Sequence, residues 1–232
     1  MGNLSDEMAN RGSKLCMQIC VNNVEDDYSK NKQKVVRKSR KHLLDDRIGH
    51  GEIKWLSPLA SDCFREYQLE NLAKKFPDEM QLDKMDWSFW RASRKPQWDA
   101  VGIAEDNSLI ILEAKAHTSE IEGPGTQAKG SSLKQIKEQI QNIMGNDPVW
   151  VNEYYQTANR ILYLSKLQEY FGNRRKVLLV FLNFINDVSY IPESKETWDL
   201  YLTKMKQEHP LPQSLIDSIK YIYMDIWKET GL

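Results

Sequence analysis

The chain has 232 residues, of which 41% are hydrophobic, and a formal net charge of -1. This composition can fill one substantial core, and no apolar run is long enough to cross a bilayer, so we expect one domain with elaborations, no membrane partner and a cytoplasmic location. Cys16, Cys20 and Cys63 form no CxxC pair and are odd in number, which argues against a disulfide framework.

The first 50 residues are predicted to form a helical and basic extension packed on a core domain of residues 51–232. Within the extension, the apolar stretch 14–22 predicts a short helix. The following stretch is basic through Lys30, Lys32, Lys34, Arg37, Lys38, Arg40 and Lys41. It can grip a nucleic acid backbone, or it can be a solvated helical face or a mobile arm, and the sequence leaves both interpretations open.

Residues 59–76 have apolar positions at helical spacing and predict an amphipathic helix. Glu66 and Glu70 are four residues apart beside the apolar stripe, so either can lean toward the element that follows. Both can equally be ordinary solvated glutamates. Three basic residues between positions 91 and 95, namely Arg91, Arg94 and Lys95, then lead into the segment with the strongest functional signal.

A β-hairpin is predicted from two apolar runs, residues 98–104 and 109–116, that flank a polar turn cluster. Side chains alternate along a strand, so Glu113 and Lys115 share one face of the second strand. Asp99 lies near the start of the first strand, and antiparallel pairing brings it to the same end of the hairpin. The sequence therefore predicts two carboxylates and a lysine in close proximity.

Charges on a buried strand need compensation, and a divalent cation such as Mg²⁺ is suited to a few carboxylates plus water and phosphate oxygens. Lys115 could then orient or deprotonate an attacking water, or stabilise charge on a phosphate. The simpler alternative is a buried ion pair between Lys115 and one carboxylate, with the other acid solvated at the turn.

A turn-rich stretch at residues 122–127 predicts a loop at the mouth of this site. Because its glycines permit close approach of a ligand, Thr126 and Gln127 could contact a phosphate or a base edge, although a surface connector explains the same residues. His117 falls on the same strand face as Lys115. It could touch substrate or carry a proton, or it could simply be hydrogen-bonded.

Five further elements are predicted after this loop: helices at 132–144 and 150–170, a two-sided buried strand at 176–185, a helix at 197–208 and a last strand at 221–227. The second of these helices has a polar face formed by Gln156, Asn159, Arg160 and Tyr163. Amide and guanidinium groups suit oriented hydrogen bonds, so we expect this face to line the cleft. The element order indicates the α/β class, with a central mixed β-sheet flanked by helices.

Asp99 followed by Glu113-Ala114-Lys115 after a hairpin-length gap resembles the PD-(D/E)xK, or restriction-endonuclease-like, nuclease superfamily. The resemblance implies a restriction-endonuclease-like core, with Asp99, Glu113 and the carbonyl of Ala114 as ligands of Mg²⁺ or Mn²⁺ and Lys115 as the catalytic lysine. One feature departs from the motif, because Pro96 precedes Asp99 by three positions rather than one.

The same resemblance implies an acidic metal-site or water-binding residue ahead of the hairpin, for which Glu66 is the first choice and Glu70 the second. It also favours Gln156 and Arg160 as substrate contacts. The implied function is metal-dependent hydrolysis of phosphodiester bonds, with DNA as the expected partner and a homodimer left open. The residues by themselves support metal-assisted hydrolysis of an anionic ester. Two alternatives stay open: a catalytically silent nuclease-like fold that binds nucleic acid or protein, and a structural ion-pair cluster.

Overall fold

A computed structural model describes residues 8–22, 40–90 and 95–228 of the chain. Its centre is one five-stranded sheet, in which the strands lie side by side in chain order. The strands are β1 (Ile53–Ser57), β2 (Ala100–Ala104), β3 (Leu109–Lys115), β4 (Val177–Phe184) and β5 (Ile219–Met224). Strands β1 to β3 pair antiparallel and β3 to β5 pair parallel, which confirms the predicted mixed sheet.

Helices cover both faces of the sheet, as the α/β class requires. They are α1 (Gly12–Asn22), α2 (Arg40–Ile48), α3 (Leu69–Lys75), α4 (Pro77–Met80), α5 (Gly130–Met144), α6 (Tyr155–Phe171) and α7 (Lys195–Glu208). Apolar residues of α5, α6 and α7 pack on one face of the sheet, and those of α1 and α2 pack on the other. Each face therefore has its own apolar core.

The predicted hairpin is confirmed, with Ala100 opposite Leu112 as the last pair at the open end. At the closed end, Asn107 adopts a left-handed φ of 66°, which asparagine tolerates in turns, and Asp106 accepts a hydrogen bond from the Ser108 N–H. All eight residues of β4 are buried, as predicted for an interior strand. The predicted helices α1, α5 and α7 are also present, within two residues of the expected bounds.

The predicted helix over residues 59–76 is wrong in its first half. Cys63 and Phe64 have left-handed φ values of 51° and 52°, which end a short 3₁₀ turn and bury the Phe64 ring. The chain then runs extended, and the carbonyl of Tyr67 accepts a hydrogen bond from the Trp98 N–H. Only Leu69–Lys75 is helical, so Glu66 and Glu70 do not share a helix face.

Three predicted boundaries also move. Helix α6 begins at Tyr155 rather than residue 150, because Pro148–Val151 forms a separate 3₁₀ turn capped by Asp147. Strand β2 begins at Ala100, which leaves Asp99 just ahead of it. The last strand runs from Ile219 to Met224, a register set by its pairing with β4.

Much of the predicted basic stretch, from Lys30 to Lys38, lies outside the described residues, as do Arg91 and Arg94. Arg40 and Lys41 are at the start of α2, where they bond to the Ile226 carbonyl and to Asp45. The domain boundary at residue 50 stays a prediction. Across the described ranges, no helix is both long and apolar enough to span a membrane.

Candidate functional site

A cavity of about 750 Å³ lies at the open end of the hairpin, where β2 begins and β3 ends. Its walls come from the hairpin, from the loop after β3 and from the first turns of α6. Nine of the sequence-predicted site residues line it: Glu66, Asp99, Glu113, Ala114, Lys115, Thr126, Gln127, Gln156 and Arg160. The fold thus brings together residues that are up to 94 positions apart in the chain (160 − 66).

Asp99 reaches from the residue before β2 to the backbone of β3. Its Oδ2 atom accepts a hydrogen bond of 2.7 Å from the Ala114 N–H, while Oδ1 accepts none from residues 8–22, 40–90 or 95–228. Burial and the neighbouring Glu113 charge raise the pKa of the Asp99 carboxyl to about 8. The Oδ1 atom of Asp99 could therefore bind a ligand in the cavity once the carboxyl has lost its proton.

Glu113 is the most buried acid of the cavity, with 3% of its surface exposed. Its Oε1 atom lies 2.7 Å from Lys115 Nζ, and its Oε2 atom lies 2.6 Å from both Nε and Nη2 of Arg160. Burial alone would raise the pKa of the carboxyl, but the charges of Arg160 and Lys115 outweigh it and lower that pKa. Glu113 is therefore ionised and carries two cationic partners.

Lys115 is next to Glu113 on the same strand face, as the alternation predicted. Its Nζ atom also donates a hydrogen bond of 2.8 Å to Oε1 of Gln156 on α6. Burial acts to lower the pKa of the ammonium, but Glu113 and Asp99 outweigh it and raise that pKa. Lys115 is therefore protonated at neutral pH and acts as a donor.

Arg160 is predicted to contact substrate, yet its guanidinium is committed to protein groups. It is 4% exposed and bonds to Glu113 on one side. On the other side its Nη2 atom donates to the Gln97 carbonyl at 2.7 Å, and the group stacks over Trp98 at 4.6 Å from the ring centroid. The side chain thus links α6 to both segments that carry the carboxylates.

Glu66 reaches the cavity from the extended segment before α3, not from a helix face. It pairs with Lys14 of α1 at 3.2 Å. Glu70 does not line the cavity; it pairs with Lys74 at 3.1 Å and with Lys95. Lys95 itself lines the cavity, whereas Arg91 and Arg94 lie outside the described residues.

Thr126 and Gln127 sit at the mouth of the cavity, in the predicted loop. The loop is held against the segment before α6, where the Thr126 N–H donates to the Val151 carbonyl at 3.2 Å. Gly125 has a left-handed φ of 74°, and a Cβ atom there would lie 2.9 Å from the Asn152 Cα. Only glycine allows this close approach, which fixes where the loop meets the site.

His117 is not among the residues that line the cavity. Its Nε2 atom lies 3.1 Å from Oε1 of Glu193, and its Nδ1 atom lies 2.5 Å from the Ser119 hydroxyl. These contacts match the second interpretation given above, in which His117 is simply hydrogen-bonded. The position of His117 does not support the predicted contact with substrate.

The contributors that the sequence analysis did not identify include a tyrosine side chain and a backbone carbonyl. Tyr155 lines the cavity, and its position four residues before Asn159 on the same helix would have placed it on the polar face. The Gln97 carbonyl, which binds Arg160, has no signal in the sequence because it is a backbone group. The pairing of Glu113 with Arg160 joins residues 47 positions apart, and no local spacing indicates it.

The oxygen donors of the cavity suit a hard divalent cation. The described ranges contain no group of three or more His, Cys, Asp or Glu residues that could hold a metal ion. The acids that line the cavity are Glu66, Asp99 and Glu113, and the last two lie next to the Ala114 backbone. The Ala114 N–H faces Asp99, and its carbonyl points to the same side because both groups of a strand residue do so. Two carboxylates and one carbonyl fit Mg²⁺, which usually keeps several waters.

Comparisons of the chain with protein-family models, curated proteins and solved structures find no significant match.

Proposed function

We propose that the chain is a metal-dependent nuclease of the PD-(D/E)xK type that hydrolyses phosphodiester bonds, with DNA as substrate and the cytoplasm as its location. The observation that carries the proposal is the convergence of Asp99, Glu113 and Lys115 at one end of the hairpin, inside one cavity. An Asp99 oxygen that has no hydrogen-bond partner among the described residues, a buried carboxylate and a protonated lysine are groups that suit metal-assisted hydrolysis.

The chain would hold Mg²⁺ or Mn²⁺ through Asp99, Glu113 and the Ala114 carbonyl. When bound, such an ion polarises a phosphoryl oxygen and acidifies a water molecule. Lys115 would donate a hydrogen bond to the phosphate and stabilise the negative charge that develops there, because its raised pKa keeps it protonated. Gln156 would hold the Lys115 ammonium in place through their hydrogen bond of 2.8 Å.

The walls of the cavity support a polar polymer as substrate. Its volume falls in the range of ligand sites, about 300 to 1,000 Å³, and so could take one nucleotide unit with its phosphate. Thr126, Gln127 and Asn159 offer hydrogen-bonding groups, and Tyr155 offers an aromatic ring for a base. The preference for DNA over RNA comes from the resemblance of the motif alone.

A second candidate function is a nuclease-like fold that binds nucleic acid or protein without turnover. The pairing of Glu113 with both Lys115 and Arg160 favours it, because a carboxylate with two cationic partners needs no metal ion. Asp99 has no comparable ion pair among the described residues, which favours the enzyme.

A cleavage assay tests the proposal. We would incubate the purified chain with single- and double-stranded DNA and RNA in Mg²⁺, Mn²⁺ or chelator, and compare it with Asp99→Asn and Lys115→Met. Asp83→Asn and Lys84→Met are matched controls at exposed positions. We expect metal-dependent cleavage of DNA, a loss of at least about 100-fold in both site variants, and wild-type rates in both controls.

Folding of each variant would be checked by its thermal unfolding midpoint. Absence of cleavage on every polymer and in both metals would contradict the enzyme. Retained binding of nucleic acid under those conditions would instead support the binding module.

A further inference from the structure

The contact between Arg160 and Glu113 indicates a role for Arg160 that the proposed metal ligands alone do not explain. We infer that Arg160 is an internal counterion for Glu113: it holds the site together without metal, and a divalent cation must share Glu113 with it. The part that concerns metal rests on the proposed function. Arg160 is then a positioning residue and not a substrate contact.

The geometry of the pair shows how fully Arg160 engages the carboxylate. Two nitrogens of the guanidinium, Nε and Nη2, lie 2.6 Å from Oε2 of Glu113, and both residues are at most 4% exposed. Charge-assisted contacts of this length in a buried site are strong. A cation that approaches Oε2 therefore meets a position already occupied by a positive group.

The charge balance of the cluster leads to the same conclusion. Asp99 and Glu113 can bring two negative charges, and Lys115 and Arg160 bring two positive charges. When both acids are ionised, the cluster is neutral before any metal enters, so its charges are balanced within the protein. With a divalent ion bound the cluster carries a net charge of about +2, which suits an anionic phosphate. The arrangement favours a weakly held ion that binds better with substrate.

Arg160 also fixes the spacing of the two carboxylates. Its Nη2 atom donates to the Gln97 carbonyl, two residues before Asp99, and its guanidinium stacks over the buried ring of Trp98. One planar group thus connects the Asp99 segment to Glu113. A lysine has the charge but lacks the second arm and the flat face, so it cannot make all of these contacts.

Calorimetric titration with Mn²⁺ alone tests the shared carboxylate. Removal of a positive charge next to Oε2 should make Arg160→Met bind Mn²⁺ about tenfold more tightly than the wild type, while cleavage falls. Arg160→Lys should keep an affinity within about threefold of wild type, because it keeps the charge. Arg174→Met, at an exposed arginine outside the cavity, is the matched control and should leave the affinity unchanged.

A purely packing role for Arg160 would give the opposite pattern. Loss of packing in Arg160→Met would leave Mn²⁺ binding unchanged or weaker, and that result would overturn the shared-ligand inference. If the wild type binds no divalent ion and cuts no polymer, the proposed function fails and the metal part of the inference fails with it.

Thermal unfolding in chelator tests the counterion role separately from metal. Arg160→Met should lower the unfolding midpoint by about 10 °C, because it leaves Glu113 short of a cationic partner. The double variant Glu113→Gln/Arg160→Met should lose much less than the sum of the two single variants, since a neutral amide needs no counterion. If Arg160→Met does not fold, the double variant should still fold. Additive midpoints, or a double variant that also fails to fold, would refute the counterion role.

Discussion

Lys115 shows how the structure narrows a role that the sequence leaves open. The sequence allows it to deprotonate water, to orient water or to stabilise a phosphate. In the structure its ammonium lies 2.7 Å from Glu113 and 2.8 Å from Gln156, and the surrounding acids raise its pKa. A group that stays protonated is a poor base, so within the proposed function Lys115 would stabilise charge rather than deprotonate water.

Asp106 gives a pH prediction for the turn that closes the hairpin. Burial acts to raise its pKa, but hydrogen bonds from His50 and Ser108 outweigh it and lower the pKa of Asp106 to about 2. A carboxyl with a depressed folded-state pKa stabilises the fold above its unfolded value of about 4, and this stabilisation is lost as the pH falls toward 2.

We therefore expect Asp106→Asn to be less stable than the wild type in urea at pH 6, and the difference in free energy of unfolding to shrink between about pH 4 and pH 2. Asp78→Asn, an exposed carboxyl on α4, is the control. A difference that is constant across this pH range would contradict the role of the carboxylate.

At the scale of elements, strand periodicity predicts the hairpin well because its two strands are adjacent in sequence and its turn is polar. The prediction of a helix over residues 59–76 is wrong because tertiary contacts override the local spacing. Its apolar spacing is helical, but Cys63 and Phe64 turn left-handed so that the Phe64 ring enters the core and Tyr67 pairs with Trp98. Such a break depends on partners far along the chain, which local spacing does not contain.

The loop that bears Thr126 and Gln127 gives a prediction at this scale. Gly125→Ala would place a Cβ atom 2.9 Å from the Asn152 Cα at a left-handed φ, so we expect a loss of about 1–3 kcal/mol of stability and a higher KM for cleavage. Gly123→Ala is the matched control, because nothing lies within 4 Å of its added Cβ. Equal behaviour of the two variants would show that the close approach at Gly125 does not shape the cavity.

At the scale of the whole molecule, the mixed sheet explains why the site forms. Strand β3 is the central strand, with an antiparallel neighbour on one side and a parallel neighbour on the other. Beyond Leu112 its pairing with β2 ends, and Asp99 takes over by accepting the Ala114 N–H. The cavity begins where the two strands part, and α6 closes it from one face of the sheet.

The sequence predicted which residues line this cavity better than it predicted their partners. Asp99, Glu113, Lys115 and Gln156 follow from strand alternation and helix spacing. The bond from Arg160 to Glu113 does not, because it depends on how α6 packs across β3, and the segment with Glu66 reaches the cavity although its predicted helix is absent. Long-range packing decides such contacts.

The most direct test of a metal site between Asp99 and Glu113 is a calorimetric titration of Mn²⁺ into the wild type and Asp99→Asn at neutral pH. We expect the wild type to bind Mn²⁺, Asp99→Asn to bind it at least about tenfold more weakly, and the exposed control Asp83→Asn to match the wild type. Absence of binding in the wild type, or equal affinity in Asp99→Asn, would contradict the proposed metal site.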